Sequence, residues 1–148
     1  MEDTLLAYSA GLVDGDGSIV IGCSKRKGQS DNHWLQVGIA NTNKELIDWL
    51  QETFGGHVSL NTSDARIQSG RRPCYHWRLM GKEASDFLKL LRPYLRIKVD
   101  QATTAIEFQE YASSTHLSIT KVGKSEVVAR REQYRVALRK LTMSRQKL

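Results

Sequence analysis

The stretch that decides the fold is "YSAGLVDGDGSIVIG", Tyr8 to Gly22. It opens with helix-forming residues and closes on a strand-like alternation. Between them stand Asp14-Gly15-Asp16-Gly17. A calcium loop counted from Asp14 would need an oxygen ligand, glycine and glutamate at its fifth, sixth and twelfth positions. The chain has Ser18, Ile19 and Lys25 there, so that reading fails. A GxxxxGK[ST] phosphate loop is absent. A hairpin turn is poorly placed, because helix precedes it and strand follows. There remains a helix that ends by presenting carboxylates. Carboxylates at a helix C-terminus face the negative end of the dipole and are unfavourable there unless a cation neutralises them. Oxygen ligands of this kind suit Mg²⁺, with glycine carbonyls as further donors. From the residues alone, tight turn and metal site both stay open.

Upstream, a helix is expected over residues 4–13, capped by Thr4, with Leu5, Leu6, Leu12 and Val13 as apolar surface. Ala7, Ala10 and Gly11 are small, and Ala7 and Gly11 share a face that lets a second helix approach closely. Downstream, Ser18–Lys25 and His33–Ala40 alternate as strands. Ile19, Ile21, Cys23, Leu35, Val37 and Ile39 fall on one face, and Val20, Gly22, Ser24, Trp34 and Gln36 on the other. An amphipathic helix follows over Asn43–Phe54, stopped by Gly55-Gly56. His57–Asn61 and Cys74–Met80 form a second strand pair, with Val58, Leu60, Tyr75, Trp77 and Leu79 expected in the core. Ser59, Asn61, His76 and Arg78 then face out. Further helices are expected over Gly81–Leu91, Val99–Tyr111 and Ser125–Met143, with Pro93 just past the first of these. The order is αββαββα plus extra helices: an α+β class with a four-stranded antiparallel sheet.

The 148 residues suit one domain, with a core over about 4–111 and a basic helical extension over about 112–148. The net charge of +6 favours an anionic partner. The charge is concentrated: residues 121–148 carry nine basic groups against two acidic ones, which points to phosphate contact by the tail. Lys25-Arg26-Lys27 and Arg71-Arg72 form two further basic clusters at strand ends. No apolar run reaches the length of a membrane helix, and the N-terminus lacks the basic region of a signal peptide, so an intracellular protein is expected. Cys23 and Cys74 form no CxxC pair; the spacing predicts reduced, half-buried thiols and no zinc site.

"SAGLVDGDGSI" (Ser9–Ile19) closely resembles the signature of the LAGLIDADG homing endonucleases. "ANTNKELIDWLQETFGGHV" resembles that family's second helix and following strand. "FLKLLRPYLRIKVDQA" (Phe87–Ala102) resembles its segment around a PYL-type turn and a basic active-site residue. The likeness covers about Leu5–Tyr111. Ser9 departs from it, standing where the signature usually has a bulky apolar residue.

The resemblance implies the family's saddle-shaped αββαββα fold and, with one signature copy, a homodimer joined through Ala7, Ala10 and Gly11. It implies a site-specific, intron-encoded endonuclease that makes a double-strand break in a long, nearly palindromic DNA by Mg²⁺-dependent phosphodiester hydrolysis. Mn²⁺ would substitute, and Ca²⁺ would bind without supporting cleavage. Asp16 is the implied metal ligand with the Gly15 carbonyl beside it. Lys98 is the basic catalytic residue, Asn41 a water-ordering polar residue, and Asp14 an architectural turn-former. Eight residues of strand span about 26 Å, or about eight base pairs. The implied DNA contacts are Val20, Gly22, Ser24, Lys25, Arg26, Lys27, Asn32, Trp34, Gln36, Ser59, Asn61, Arg71, Arg72, His76 and Arg78. The host would be a bacterial or archaeal cytoplasm or an organelle. The rivals are a maturase that binds its host intron RNA, a DNA-binding protein that no longer cleaves, and a generic α+β metal-binding protein.

Overall fold

The computed structural model describes residues 1–25, 27–63, 68–115 and 121–146, without the side chains of 121–123, 145 and 146. The order is α1 (Asp3–Asp16), β1 (Gly17–Ser24), β2 (Asn32–Asn41), α2 (Lys44–Phe54), β3 (His57–Asn61), β4 (Cys74–Met80), α3 (Gly81–Leu91), a 3₁₀ turn (Arg92–Tyr94), α4 (Val99–Ser114) and α5 (Lys121–Gln146). This is the expected α+β class. The four strands form one antiparallel sheet in the order β1-β2-β4-β3. Among the described residues no helix is long and apolar enough to cross a membrane.

The sheet is open, and the described helices pack on one face of it. Ile19, Ile21, Leu35, Val37, Ile39, Trp77 and Leu79 are buried against them, so the alternation read in β1, β2 and β4 holds. Trp77 anchors the centre. Its ring packs against Phe54 and Phe87, and its Nε1 donates to the Gly55 carbonyl at 2.7 Å. That carbonyl is available because α2 stops at Gly55, whose φ of 76° favours glycine. At the other end of α2, the Asn43 side chain accepts from Leu46 N at 3.0 Å.

Three expectations need correction. Helix α1 is not residues 4–13 capped by Thr4: it starts at Asp3 after Glu2, with Thr4 inside it and no side-chain cap, and it runs through Gly15 to Asp16. Leu60 is exposed, on β3 at the edge of the sheet. Ala10 is fully buried in the protomer's own core, as are Ser9 and Val13, so it cannot belong to a dimer face. Ser9 satisfies its hydroxyl by donating to Leu5 O at 2.8 Å. The exposed face of α1 carries Thr4, Ala7, Tyr8, Gly11 and Gly15 instead.

Candidate active site and nucleic-acid interface

The C-terminus of α1 meets the N-terminus of α4, and each supplies the charge that the other needs. The Asp14 carboxylate accepts the backbone N–H groups of Arg96, Ile97 and Lys98 at 2.8, 3.2 and 3.0 Å. An anion is favourable at the positive end of a helix, and these donors have no partner within α4. In return, the Lys98 ammonium donates to the carbonyls of Val13, Asp14 and Gly17 at 2.8, 3.3 and 2.6 Å. A cation is favourable at the negative end of α1 for the same reason. The far end of α1 is tied to the same segment: the Tyr94 hydroxyl donates to Asp3 at 2.7 Å.

The two aspartates therefore differ. Asp14 is neutralised by protein. Among the described residues, nothing hydrogen-bonds or ion-pairs with the exposed Asp16 carboxylate. Gly15 is exposed too, and a Cβ built on it would meet nothing within 4 Å. The carbonyls that the Lys98 ammonium bonds are those of Val13, Asp14 and Gly17, with that of Gly15 not among them. An open carboxylate and an adjacent open carbonyl at a helix end form a donor set that suits a hard divalent cation. Gly17 is required for the exit into β1, since a Cβ there would lie 2.7 Å from both Val13 Cα and Val13 O.

Asn41 stands at the end of β2, two residues beyond the partner of Gly17. Its Oδ1 accepts from Asn43 N at 2.8 Å in the turn that leads into α2. The carboxamide oxygen thus holds the turn with one of its two lone pairs, which leaves the other lone pair and the amide N–H groups to order a water.

The helix-free face of the sheet carries most of the expected DNA contacts, arranged by strand register. Gly38, Arg78 and His57 form a row with Ser18. Val20, Gln36 and Met80 form the next on one side, and Ala40, His76 and Ser59 the next on the other. Asn32 lies opposite Ser24, and Asn61 opposite Cys74. Gly22 is a correction: the indole of Trp34, its cross-strand partner, covers it, and a Cβ there would sit 2.3 Å from the ring. Trp34 presents that position, not Gly22. Ser18 and His57 share this face but were missed, although the strand alternation placed them there.

The basic clusters divide. Lys25 and Lys27 are exposed at the β1–β2 hairpin, and Arg71 and Arg72 just before β4, whose Tyr75 pairs with Asn41 at the opposite end of the sheet. Arg26 and Lys147 lie outside the described residues. In α5 several cations are committed internally: the Arg130 guanidinium lies 4.6 Å over the Tyr111 ring, and Arg131 and Arg135 have polar partners. Arg131 is buried, and its Nη2 donates to the Ala112 and Thr115 carbonyls at 3.1 Å, closing the end of α4. Burial holds its guanidinium below the usual arginine value. Arg135 forks onto Glu132 at 2.6–3.1 Å. That fork, aided by His33 and opposed by burial, holds the Glu132 carboxyl down to about 2. Arg139 and Lys140 remain exposed. Arg139 joins Lys98 and Arg135 in lining a groove of about 670 Å³ between the free edge of β1 and α5.

No family model and no curated protein matches the chain. Solved structures do. The homing endonuclease I-CvuI, in complex with the I-CreI target at 2 mM Mg with the DNA not cleaved, is 17% identical. The match covers 93% of this chain and 82% of that one, with a TM-score of 0.76. The archaeal intron-encoded homing endonuclease I-Vdi141I, complexed with DNA, is 14% identical over 95% and 86% of the two chains, with a TM-score of 0.77. The LAGLIDADG homing endonuclease I-GzeII, in complex with its DNA target, is 18% identical over 88% of this chain and 43% of its own, with a TM-score of 0.70. At these identities the likeness is one of fold: the chain has the LAGLIDADG homing endonuclease fold.

Proposed function

We propose that this chain is a single-motif LAGLIDADG homing endonuclease. It would act as a homodimer that makes a double-strand break in a long, nearly palindromic DNA duplex, encoded within an intron. The observation that carries the reading is the division of labour at the end of α1. Asp14 and Lys98 lock α1 to α4, which leaves Asp16 and the Gly15 carbonyl presented outward at the base of an open sheet. Mg²⁺ held there would supply a Lewis acid and an activated water for phosphodiester hydrolysis. Mn²⁺ would substitute, and Ca²⁺ would bind without supporting cleavage.

The chain's own residues do the rest. Lys98 fixes the direction in which the end of α1 points, and its ammonium adds positive potential beside the scissile phosphate. Asn41 would orient a water through its amide nitrogen. Trp34, Gln36, Ser59, His76 and Arg78 offer donors, acceptors and ring edges to bases in a major groove, which is wide enough for a strand ribbon. Lys25, Lys27, Arg71, Arg72 and Arg139 would hold phosphates and fix register. Dimerisation is supported by the exposed stripe of Ala7, Gly11 and Gly15. Open space lies above both glycines, so a second α1 could approach to backbone contact.

The test is recovery of a target. Wild-type protein is incubated with a randomised duplex library in Mg²⁺, and the cut ends are sequenced. One long site with two-fold symmetry supports the reading. Cutting without sequence preference, or binding without cutting in either Mg²⁺ or Mn²⁺, refutes it.

A further inference from the structure

Register places Cys23 directly opposite His33 on adjacent strands, both on the helix-covered face of the sheet. Cross-strand partners have Cβ atoms only about 5 Å apart. Glu132 arrives over the pair from α5, 99 residues away in sequence from His33. The His33 Nε2 and Glu132 Oε2 lie 2.7 Å apart. One ligand atom from each of Cys23, His33 and Glu132 lies within 4.8 Å of the other two. The His33 side chain is wholly buried, and its Nδ1 has no hydrogen-bond partner.

We propose that Cys23, His33 and Glu132 form a binding site for a late first-row divalent metal ion of the Zn²⁺ class, distinct from the oxygen donors at Asp16. The donor types decide the class. A thiolate, an imidazole and a carboxylate suit Zn²⁺ or Co²⁺ and not Mg²⁺, which takes oxygen ligands. Three protein ligands leave a fourth tetrahedral position for water. The geometry is within reach. Ligand atoms on a tetrahedral zinc stand about 3.5 Å apart, given bonds of about 2.0–2.3 Å. The imidazole and carboxylate need to open slightly and the thiol to close by about 1 Å, which is the scale of a side-chain adjustment. Arg135 donates to both carboxylate oxygens, to Oε2 from Nε at 2.9 Å and to Oε1 from Nη2 at 2.6 Å; an ion on Oε2 would displace the first, and the second would hold the carboxylate, as hydrogen bonds to a ligating carboxylate commonly do. On coordination the Cys23 thiol gives up its proton to solvent. The ion would join β1, β2 and α5, pinning the basic helix to the edge of the sheet.

The sequence offered no CxxC pair, and the site is invisible there because α5 supplies the third ligand through the fold. Its test needs neither DNA nor nuclease activity, so its failure is separate from failure of the nuclease reading. Chelator-treated, reduced wild-type protein is alkylated with iodoacetamide, and mass spectrometry follows Cys23 and Cys74 separately. Stoichiometric Zn²⁺ should slow Cys23 about tenfold or more, since a metal-bound thiolate is a blocked nucleophile. Cys74, on the other face of the sheet, serves as internal control and should keep its rate; chelator should restore Cys23. Co²⁺ should give tetrahedral visible bands and a thiolate charge-transfer band, both lost in His33→Asn; Mg²⁺ should give neither effect. An unchanged Cys23 rate, equal slowing of both cysteines, or cobalt spectra without thiolate character would overturn the proposal and leave His33–Glu132–Arg135 as an ion-pair chain only.

Discussion

Replacing Asp14 and Asp16 in turn should separate two residues that look alike in the chain. Asp14→Ala removes the acceptor of three backbone N–H groups, 2.8–3.2 Å away, at the start of α4. Hydrogen bonds to a charged group contribute about 1.5–3 kcal/mol, and an anion at a helix N-terminus about 0.5 kcal/mol more. The three bonds share one carboxylate, and water replaces part of them at a half-exposed site, so they do not sum. The expected loss is about 2–3 kcal/mol, which lowers the Tm of a chain this size by about 5–10 °C. Asp16→Ala removes a partnerless, exposed charge from the negative end of α1, so Tm should stay level or rise slightly. Thermal and urea unfolding of the three proteins at one pH and salt concentration measure this. A Tm for Asp14→Ala within about 1 °C of wild type, or equal losses for both variants, would refute the clamp.

Lys98→Met keeps the stem of the side chain but abandons three carbonyls, and should cost about 2 kcal/mol of stability as well as cleavage activity; loss of cleavage at unchanged Tm would make Lys98 purely catalytic. Glu132→Gln tests the ion pair through pH. The folded-state value of Glu132 is depressed to about 2 from the ordinary 4.5, so its stabilisation is present above about 4.5 and disappears as pH falls towards 2. Wild type should exceed the variant by a constant margin at neutral pH, and the margin should close across that window; a margin independent of pH would contradict it. Arg71→Gln with Arg72→Gln removes two contacts from each protomer and should reduce the salt slope of log K for duplex binding by the dimer by about four, nearly independently of sequence; an unchanged slope would remove both from the phosphate contacts.

Much of this architecture was legible. β3, β4 and α3 fall on the residues that alternation, helical periodicity and flanking glycine or proline marked out. The outward set of His76 and Arg78 was recoverable because period-two burial of Trp77 and Leu79 leaves one register. What could not be read depended on distant partners. Helix α1 continues past Gly15 because Lys98 and Asp14 hold its last turn from across the fold. Ala7, Ala10 and Gly11 were all read into the dimer interface, but the helix azimuth that takes Ala10 into the core is set by α1's packing on α3 and β2. Arg131 and Arg135 read as phosphate contacts of the basic tail, yet the end of α4 and Glu132 claim them. Gly22 read as a bare point on the DNA face until its neighbour's indole lay over it.

The central claim is that Asp16 serves chemistry while Asp14 serves architecture. Its most direct measurement compares wild type and Asp16→Asn on the recovered target, by gel-shift affinity in Ca²⁺ and by single-turnover cleavage in Mg²⁺. The account predicts affinity within about threefold and cleavage reduced at least about a hundredfold, with Tm unchanged. Retained cleavage, or affinity lost in step with cleavage, would contradict it.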